Sequence, residues 1–503
     1  MSRSGRRVAA AAAAGLLAAW PTPAAAHAIG GTFQLPVPLW LYLAAAATAV
    51  AASFVVTSIV TRTSTGRPYR LLPIGTALAG GARIVLRVLG LAWWYGAIGV
   101  AFVINDISPL PALLLWVGIW VALPIVATLL GNPWPSLSPF RTTFAGAEWL
   151  ARRLRASRLD LGLPYPAAFA RWPAVVLLGA GIWAELILPG PEVALTVGTL
   201  MLAYTLLTLT GMTLFGQVAW LRHAELFEVE LAWFGRLGPI GRRSVSRALC
   251  EDCTEGCSFE RCVDCPECST AASDPEREPG LRPWIVGLTD VARAGWSDAA
   301  FILLALGGVT YDGLRETGFG AALLDWLLAP MTDAFGITLT AFLLVETIAL
   351  AIVVAAFLAA FTIVLRLTRR FAASGRTPAG VYASTLLPIA AGYLIAHYLT
   401  LVIQGLIWMP SLVADPLMSL APELDWIPVS AVWYLSVAAI VGGHIAGIVL
   451  SHRLALRDDP DAGRATLAGL PMVALMIGYT ILSLWIIAQP IVVEPGTMPA
   501  AIR

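Results

Sequence analysis

The sequence contains no lysine. All 32 basic residues are arginine, set against 31 acidic ones, so the formal net charge is only +1. Charged residues of every kind make up 13% of the 503 positions, and histidine occurs five times. A soluble domain carries about a quarter charged residues. This scarcity therefore excludes an ordinary globular enzyme, a disordered chain and a nucleic-acid binder. No nucleotide-binding glycine loop, Gly-x-Ser-x-Gly elbow or His-Glu-x-x-His pair occurs, which argues against ATP-driven and standard protease mechanisms. What is present is apolar: 58% of residues are hydrophobic and the mean hydropathy is +0.78. At ~20 apolar residues per crossing, the length has room for about ten spans and one modest polar segment.

Residues 1–26 read as an export signal. Arg3, Arg6 and Arg7 precede an apolar stretch from Val8 to Ala19, too short to span, and small residues follow for cleavage. Cutting after Ala26 would make His27 the mature amino terminus, and cutting after Ala28 would remove it; an exposed His27 could chelate copper through its amine and imidazole. Beyond the signal, uncharged apolar runs give ten candidate helices at about 37–61, 84–105, 109–130, 173–189, 193–215, 297–311, 338–365, 380–406, 430–451 and 466–489. The expected fold is all-α, a polytopic membrane bundle with helices 1–5 in 27–215, a polar segment in 216–296 and helices 6–10 in 297–503. The sixth run is short, and a re-entrant or surface helix is expected around Ala321–Leu328.

The arginines test this map. Outside the signal, 27 of 29 fall in alternate loops, at 62–87, 141–171, 222–293, 366–376 and 453–464, leaving Arg315 and Arg503 on the other face. Because cytoplasmic loops retain positive charge, both mature termini are expected outside the cell membrane and the polar segment inside. In that segment, Trp220–Trp233 mixes His223, Glu225, Glu228 and Glu230 with Leu226, Phe227, Val229 and Leu231. It reads as an interfacial amphipathic helix continuing the fifth span.

All six cysteines follow within nineteen positions: Cys250, Cys253, Cys257, Cys262, Cys265 and Cys268. A C-x2-C unit lets two thiolates grip one ion, and two units complete a tetrahedral set of four sulfurs. In the reducing cytoplasm disulfides are not expected. Zinc on four of the six is the first expectation, with the leftover pair as a second partial site. The alternative is an iron–sulfur cluster, since Cys262, Cys265 and Cys268 open like a ferredoxin run whose fourth position is Ala272. Acidic neighbours, Glu251, Asp252, Glu255, Glu260, Asp264 and Glu267, make the segment read as a solvated structural knuckle.

Ionisable groups within spans cost ~2.5–3.5 kcal/mol each and are functional candidates by default. They are Glu185, Glu346, His397 and His444, with Asp106, Asp312 and Glu316 at outer helix ends. A rise of ~1.5 Å per residue puts Glu346 and His397 roughly 12–14 Å below the outer surface and His444 about 21 Å below it. The three would line one outward-opening cavity, with Gly442 and Gly443 permitting close helix approach and Tyr393, Tyr398 and Gln404 supplying hydrogen bonds. Two imidazoles and a carboxylate form a divalent-metal set able to activate water; alternatively each histidine only ties two helices together. His223 and His452 read as surface groups. Asn132-Pro133-Trp134-Pro135, followed by Ser138-Pro139-Phe140-Arg141, reads as a rigid turn with Trp134 and Phe140 as headgroup anchors.

Together, His27-Ala-Ile-Gly-Gly, Leu35-Pro-Val-Pro-Leu-Trp40, the Asn132-Pro-Trp134 turn, Gly392-Tyr-Leu-Ile-Ala-His397-Tyr398-Leu-Thr400 and Gly442-Gly-His444 resemble bacterial multi-span membrane proteins of the fenitrothion hydrolase family. The resemblance covers most of the membrane part and leaves out the cysteine loop. It implies hydrolysis of an aryl phosphorothioate ester, for which His397, His444 and Glu346 are the candidate catalytic and metal-holding residues. The competing expectations are a metal or small-solute transporter with a cytoplasmic thiolate site, and an electron-transfer protein. For the latter, the depth difference of about 7 Å between His397 and His444 argues against a shared haem. The bilayer and a small molecule or metal ion are the expected partners.

Overall fold

In hydrocarbon every backbone N–H and C=O must be satisfied within its own segment, so a chain of this composition is driven into helices. Among the residues it describes, the computed structural model is all-α apart from five short strands. It describes all residues except 1–32, 63–70, 75, 105–107, 155–158, 255–256, 258–261, 274–275, 292, 337, 373–374, 418–425 and 494–503. The signal, its cleavage site, His27 and Asp106 lie outside the described residues.

The helices are α1 (Leu39–Val60), α2 (Thr76–Ile104), α3 (Leu110–Leu129), α4 (Pro139–Arg153), α5 (Trp172–Leu186), α6 (Ala194–Phe215), α7 (Gln217–His223), α8 (Leu226–Gly235), α9 (Arg247–Glu251), α10 (Pro266–Ala271), α11 (Trp296–Arg315), α12 (Gly318–Phe335), α13 (Leu339–Phe371), α14 (Ala379–Ala414), α15 (Val429–Asp458) and α16 (Ala462–Ile491). Among the described residues eight, α1, α2, α3, α6, α13, α14, α15 and α16, are long and apolar enough to cross a bilayer. The other two expected crossings also form helices. At 15 residues, α5 reaches only ~22 Å of a ~30 Å core. The second, α11, holds Asp298, Asp312 and Arg315 and is buried along most of its length against α5, α13 and α14.

Helix α12 occupies the stretch where a non-spanning helix was expected. The Tyr311 hydroxyl donates to the Glu346 carbonyl at 3.2 Å, and the Trp296 and Phe361 rings meet 6.5 Å apart. These contacts fix α11 and α13 as antiparallel, with α12 starting and finishing at the same end of the bundle.

Helix α3 is π-helical from Leu113 to Ala122. The Trp93 ring lies where a Cβ at Gly118 would be, 2.3 Å from its Cζ2. Its indole donates to the Leu114 carbonyl at 3.1 Å, the acceptor that Gly118 N–H would use in an α-helix. A side chain inserted into the ladder in this way widens the turn.

The polar segment departs from expectation. Gly216, at φ +83°, ends α6, and the chain breaks again before α8, whose Glu225 carboxylate accepts from the N–H groups of Phe227 and Glu228. Rather than lying at the membrane interface, α8 is buried on nearly every side, Glu228 and Glu230 included, and packs against the Leu123–Leu129 part of α3 and against α5, α7 and α14. Reading the mixed charges as an amphipathic face was wrong because their partners lie far away in sequence. Arg141, for example, forms a buried bidentate pair with Glu228 at 2.7 and 3.2 Å. Trp134 and Phe140 are likewise not headgroup anchors. They are 1% and 0% exposed and pack with Trp94, Tyr204 and Phe227 in an aromatic core whose ring centroids are 5.0–6.3 Å apart.

Loops from distant parts of the sequence gather at the cysteine-bearing end. β2 (Leu72–Pro73), β4 (Arg277–Leu281) and β3 (Ile240–Ser244) form an antiparallel sheet with β4 central. Ile240 N–H donates to the Leu130 carbonyl and the Trp284 indole to that of Thr128, at 2.8 and 2.9 Å. Arg457, on α15, reaches the Val291 carbonyl at 3.2 Å. At the opposite end β1 (Phe33–Gln34) pairs in parallel with β5 (Val492–Val493).

Candidate functional site

The six cysteines form a hydrophobic cluster composed of nothing but themselves, and all are reduced thiols. Strand β3 brings Cys262 in, since Ser244 N–H donates to its carbonyl at 3.1 Å. Cys250 rides on α9, while Cys265 and Cys268 sit at the start and in the first turns of α10. Two sets of four sulfurs lie within 4.8 Å of one another: Cys250, Cys257, Cys262 and Cys268, and Cys253, Cys257, Cys265 and Cys268. A group this tight is able to hold a metal ion. Packed thiols cannot all ionise together. The Cys262 hydrogen bond brings the Cys265 pKa down to about 4, and burial pushes Cys257 up to about 12. The hydrogen bond to Cys265 together with burial raises Cys262; burial and the Cys265 charge raise Cys268. Of the acidic neighbours, Glu267 is not simply solvated. Its carboxylate accepts from Thr254 N–H and hydroxyl at 2.8 and 2.7 Å and pairs with Arg222 at 3.1 Å.

The intramembrane candidates are placed separately. His397, 1% exposed, has Nε2 3.0 Å from the Asp312 carboxylate, which also accepts from the Tyr398 hydroxyl at 2.8 Å. Glu346 accepts from the Tyr311 hydroxyl. His444 is fully buried, with Nδ1 2.8 Å from the Ile440 carbonyl and, among the described residues, no partner for Nε2. Among the described residues the convergent metal-binding groups are all cysteine sets, so His397, His444 and Glu346 are not drawn together as one. His452 is not a surface group; it is 1% exposed and bonds the Thr61 carbonyl at 3.0 Å.

Carboxylates outside the expected His397, His444 and Glu346 set take the prominent positions. A cavity of about 40 Å³ lies between α3, α5, α8, α11 and α14, lined by Glu185, Glu230, Trp120 and Tyr398 among apolar side chains. That is room for roughly three waters. The Trp120 indole donates to Glu185 at 2.6 Å. Arg315 donates to the Leu186 carbonyl at 2.6 Å and lies 3.5 Å from Asp312. Glu230 is 7% exposed, and one of its oxygens has no hydrogen-bond partner among the described residues. Asp312 was noted only as a helix-end residue, although its position one turn before Arg315 was a signal that it has a partner. Nothing in the sequence marked Glu230 as facing the bundle interior.

The chain is a multi-pass helical membrane protein with a cysteine cluster able to hold metal. No known family, characterised protein or solved structure matches it.

Proposed function

We propose that the chain is a cell-membrane transporter that moves protons or cations along a line of buried carboxylates, with a thiolate-bound metal centre, zinc by preference, at its cytoplasmic end. The observation that carries this reading is the cavity shared by Glu185 and Glu230. Buried carboxylates in a membrane mark ion and proton paths. The cavity also leads on to a further group: its lining residue Tyr398 donates to Asp312, which His397 also meets. The breaks at Gly216 and before Glu225, and the π-helical turn in α3, add the discontinuous helices typical of transport sites. A proton taken by Glu230 would pass through cavity water to Glu185 and leave by Asp312 and His397, each group returning to its starting state.

Sidedness follows from the arginines, with both termini outside and the cysteine end in the cytoplasm. The β1–β5 pairing and the gathering of arginine-bearing loops at one end support it. Purified protein in liposomes under an imposed pH gradient tests the transport reading with an internal pH dye, with and without divalent cations. Flux is expected in the wild type, a loss of tenfold or more in Glu230→Gln and Glu185→Gln, and no change in Glu148→Gln, which lies outside the cavity. Wild-type-like flux in Glu230→Gln, or none in the wild type, would remove the reading.

A second reading, hydrolysis of an aryl phosphorothioate ester, draws on one specific observation. His397 and Tyr398, from the motif that carries the family resemblance, converge on a single carboxylate, an arrangement suited to a general base. Release of a nitrophenol from such an ester, lost in His397→Ala, would favour it over transport.

A further inference from the structure

We propose that the cysteine segment holds two metal ions rather than one, as a six-thiolate centre in which Cys257 and Cys268 bridge both. The inference rests on the reading that this segment binds metal, and deepens it. The two tetrads of sulfurs overlap in two members, Cys257 and Cys268, and the union of the tetrads is all six cysteines. Tetrahedral coordination with metal–sulfur bonds of ~2.3 Å has sulfur–sulfur edges of about 3.8 Å. The Cys257–Cys268 separation is 3.6 Å, close to such an edge, and it belongs to both tetrads. Each tetrad also has a further contact of the same size, from the bridging Cys257 to the terminal Cys262 at 3.5 Å in one and between the terminal Cys253 and Cys265 at 3.5 Å in the other. Two tetrahedra sharing one edge reproduce this pattern.

The arrangement also corrects the expectation that each C-x2-C unit grips one ion, for two of the three units; the third, Cys265 and Cys268, stays within one tetrad. Cys250 and Cys253 fall into different tetrads, and so do Cys262 and Cys265. Each of the two divided units gives one terminal ligand to each ion, so these two turns tie the ions together. With a single ion, two thiols would remain buried with no role, although Cys250 is 4% exposed, Cys262 1% and Cys265 5%. An iron–sulfur cluster would spread its thiolates over irons separated by sulfide and would give no common thiolate edge. Six thiolates around two divalent ions leave the centre with two negative charges. Arg222 and Arg293 both bond Thr254, beside Cys253, and place positive charge next to it.

Metal analysis of the full-length protein in detergent is expected to give two divalent ions per chain. Loading with cadmium-113 is expected to give two resonances coupled to each other through the bridging sulfurs. Replacing both Cys257 and Cys268 by Ser should abolish that coupling, whereas Cys250→Ser, which removes a terminal ligand, should leave one tightly held ion. One ion per chain, a single resonance or stoichiometric acid-labile sulfide would overturn the two-ion centre while leaving metal binding intact. Absence of any bound metal would overturn the parent reading as well. The wild-type measurements do not depend on whether the variants fold.

Discussion

Four donors converge on the Glu225 carboxylate: the N–H groups of Phe227 and Glu228, the Trp134 indole at 3.0 Å and the Tyr204 hydroxyl at 2.5 Å. All are buried or nearly so. Loss of a helix cap costs ~1 kcal/mol and each stranded buried donor ~1–3 kcal/mol. Glu225→Ala should therefore destabilise the protein by about 3 kcal/mol or more, read as a lowered unfolding midpoint in detergent, with Glu225→Gln milder. His223 gives a pH signature. Burial, reinforced by Arg222 and Arg171, lowers its pKa from 6.5 to about 4, and its ring stacks on Tyr165 at 5.0 Å. The folded protein refuses a proton that the unfolded chain accepts. The stability this neutral group contributes is thus complete above pH 6.5 and lost as pH falls toward 4. Thermal unfolding measured across that window should show a shallower acid decline in His223→Gln than in the wild type.

At the scale of elements, helix positions were legible and helix environments were not. Apolar runs of spanning length mark α1, α6 and α13 directly, because the bilayer demands length and apolarity of each segment by itself. Helix α8 has no such local mark. Its charges are explained by Trp134 and Arg141, some 90 residues away, and only the packed bundle shows that they are interior. The glycines beside His444 were read in part: Gly443 is at the helix crossing and Gly442 is not. A Cβ at Gly443 would stand 2.3 Å from the Pro388 carbonyl oxygen and one at Gly392 2.3 Å from that of Ala439, whereas at Gly442 nothing lies within 4 Å. Each glycine thus seats the opposing backbone of α14 or α15. Gly443→Ala should cost about 1–3 kcal/mol by overpacking and Gly442→Ala almost nothing, a contrast that unfolding of the two variants side by side would show. The cysteine spacing announced a metal site, but spacing along a chain does not show which sulfurs share an ion.

For the whole molecule, the assembly of distant loops at the cysteine end and the β1–β5 pair at the other make sidedness testable as a single property. In intact cells, a membrane-impermeant thiol reagent should leave Cys250–Cys268 unlabelled and should modify a cysteine introduced at Gln34. After permeabilisation and chelation the native thiols should become reactive. The reverse pattern would invert the map and, with it, the direction assigned to any flux.

The β1–β5 pair has a consequence for how the protein is made. Helix α1 emerges from the ribosome first, yet its packing partners are α15 and α16, and its leading strand is zipped to residues 492–493. Until α15 is inserted, the Leu39, Ala46, Val50 and Phe54 face of α1 must wait in lipid or beside the insertion machinery, and until α16 follows it has only one of its two partners. The docking of α1 is therefore completed only in the last step, and a ribosome stalled before residue 462 would leave it with α15 alone.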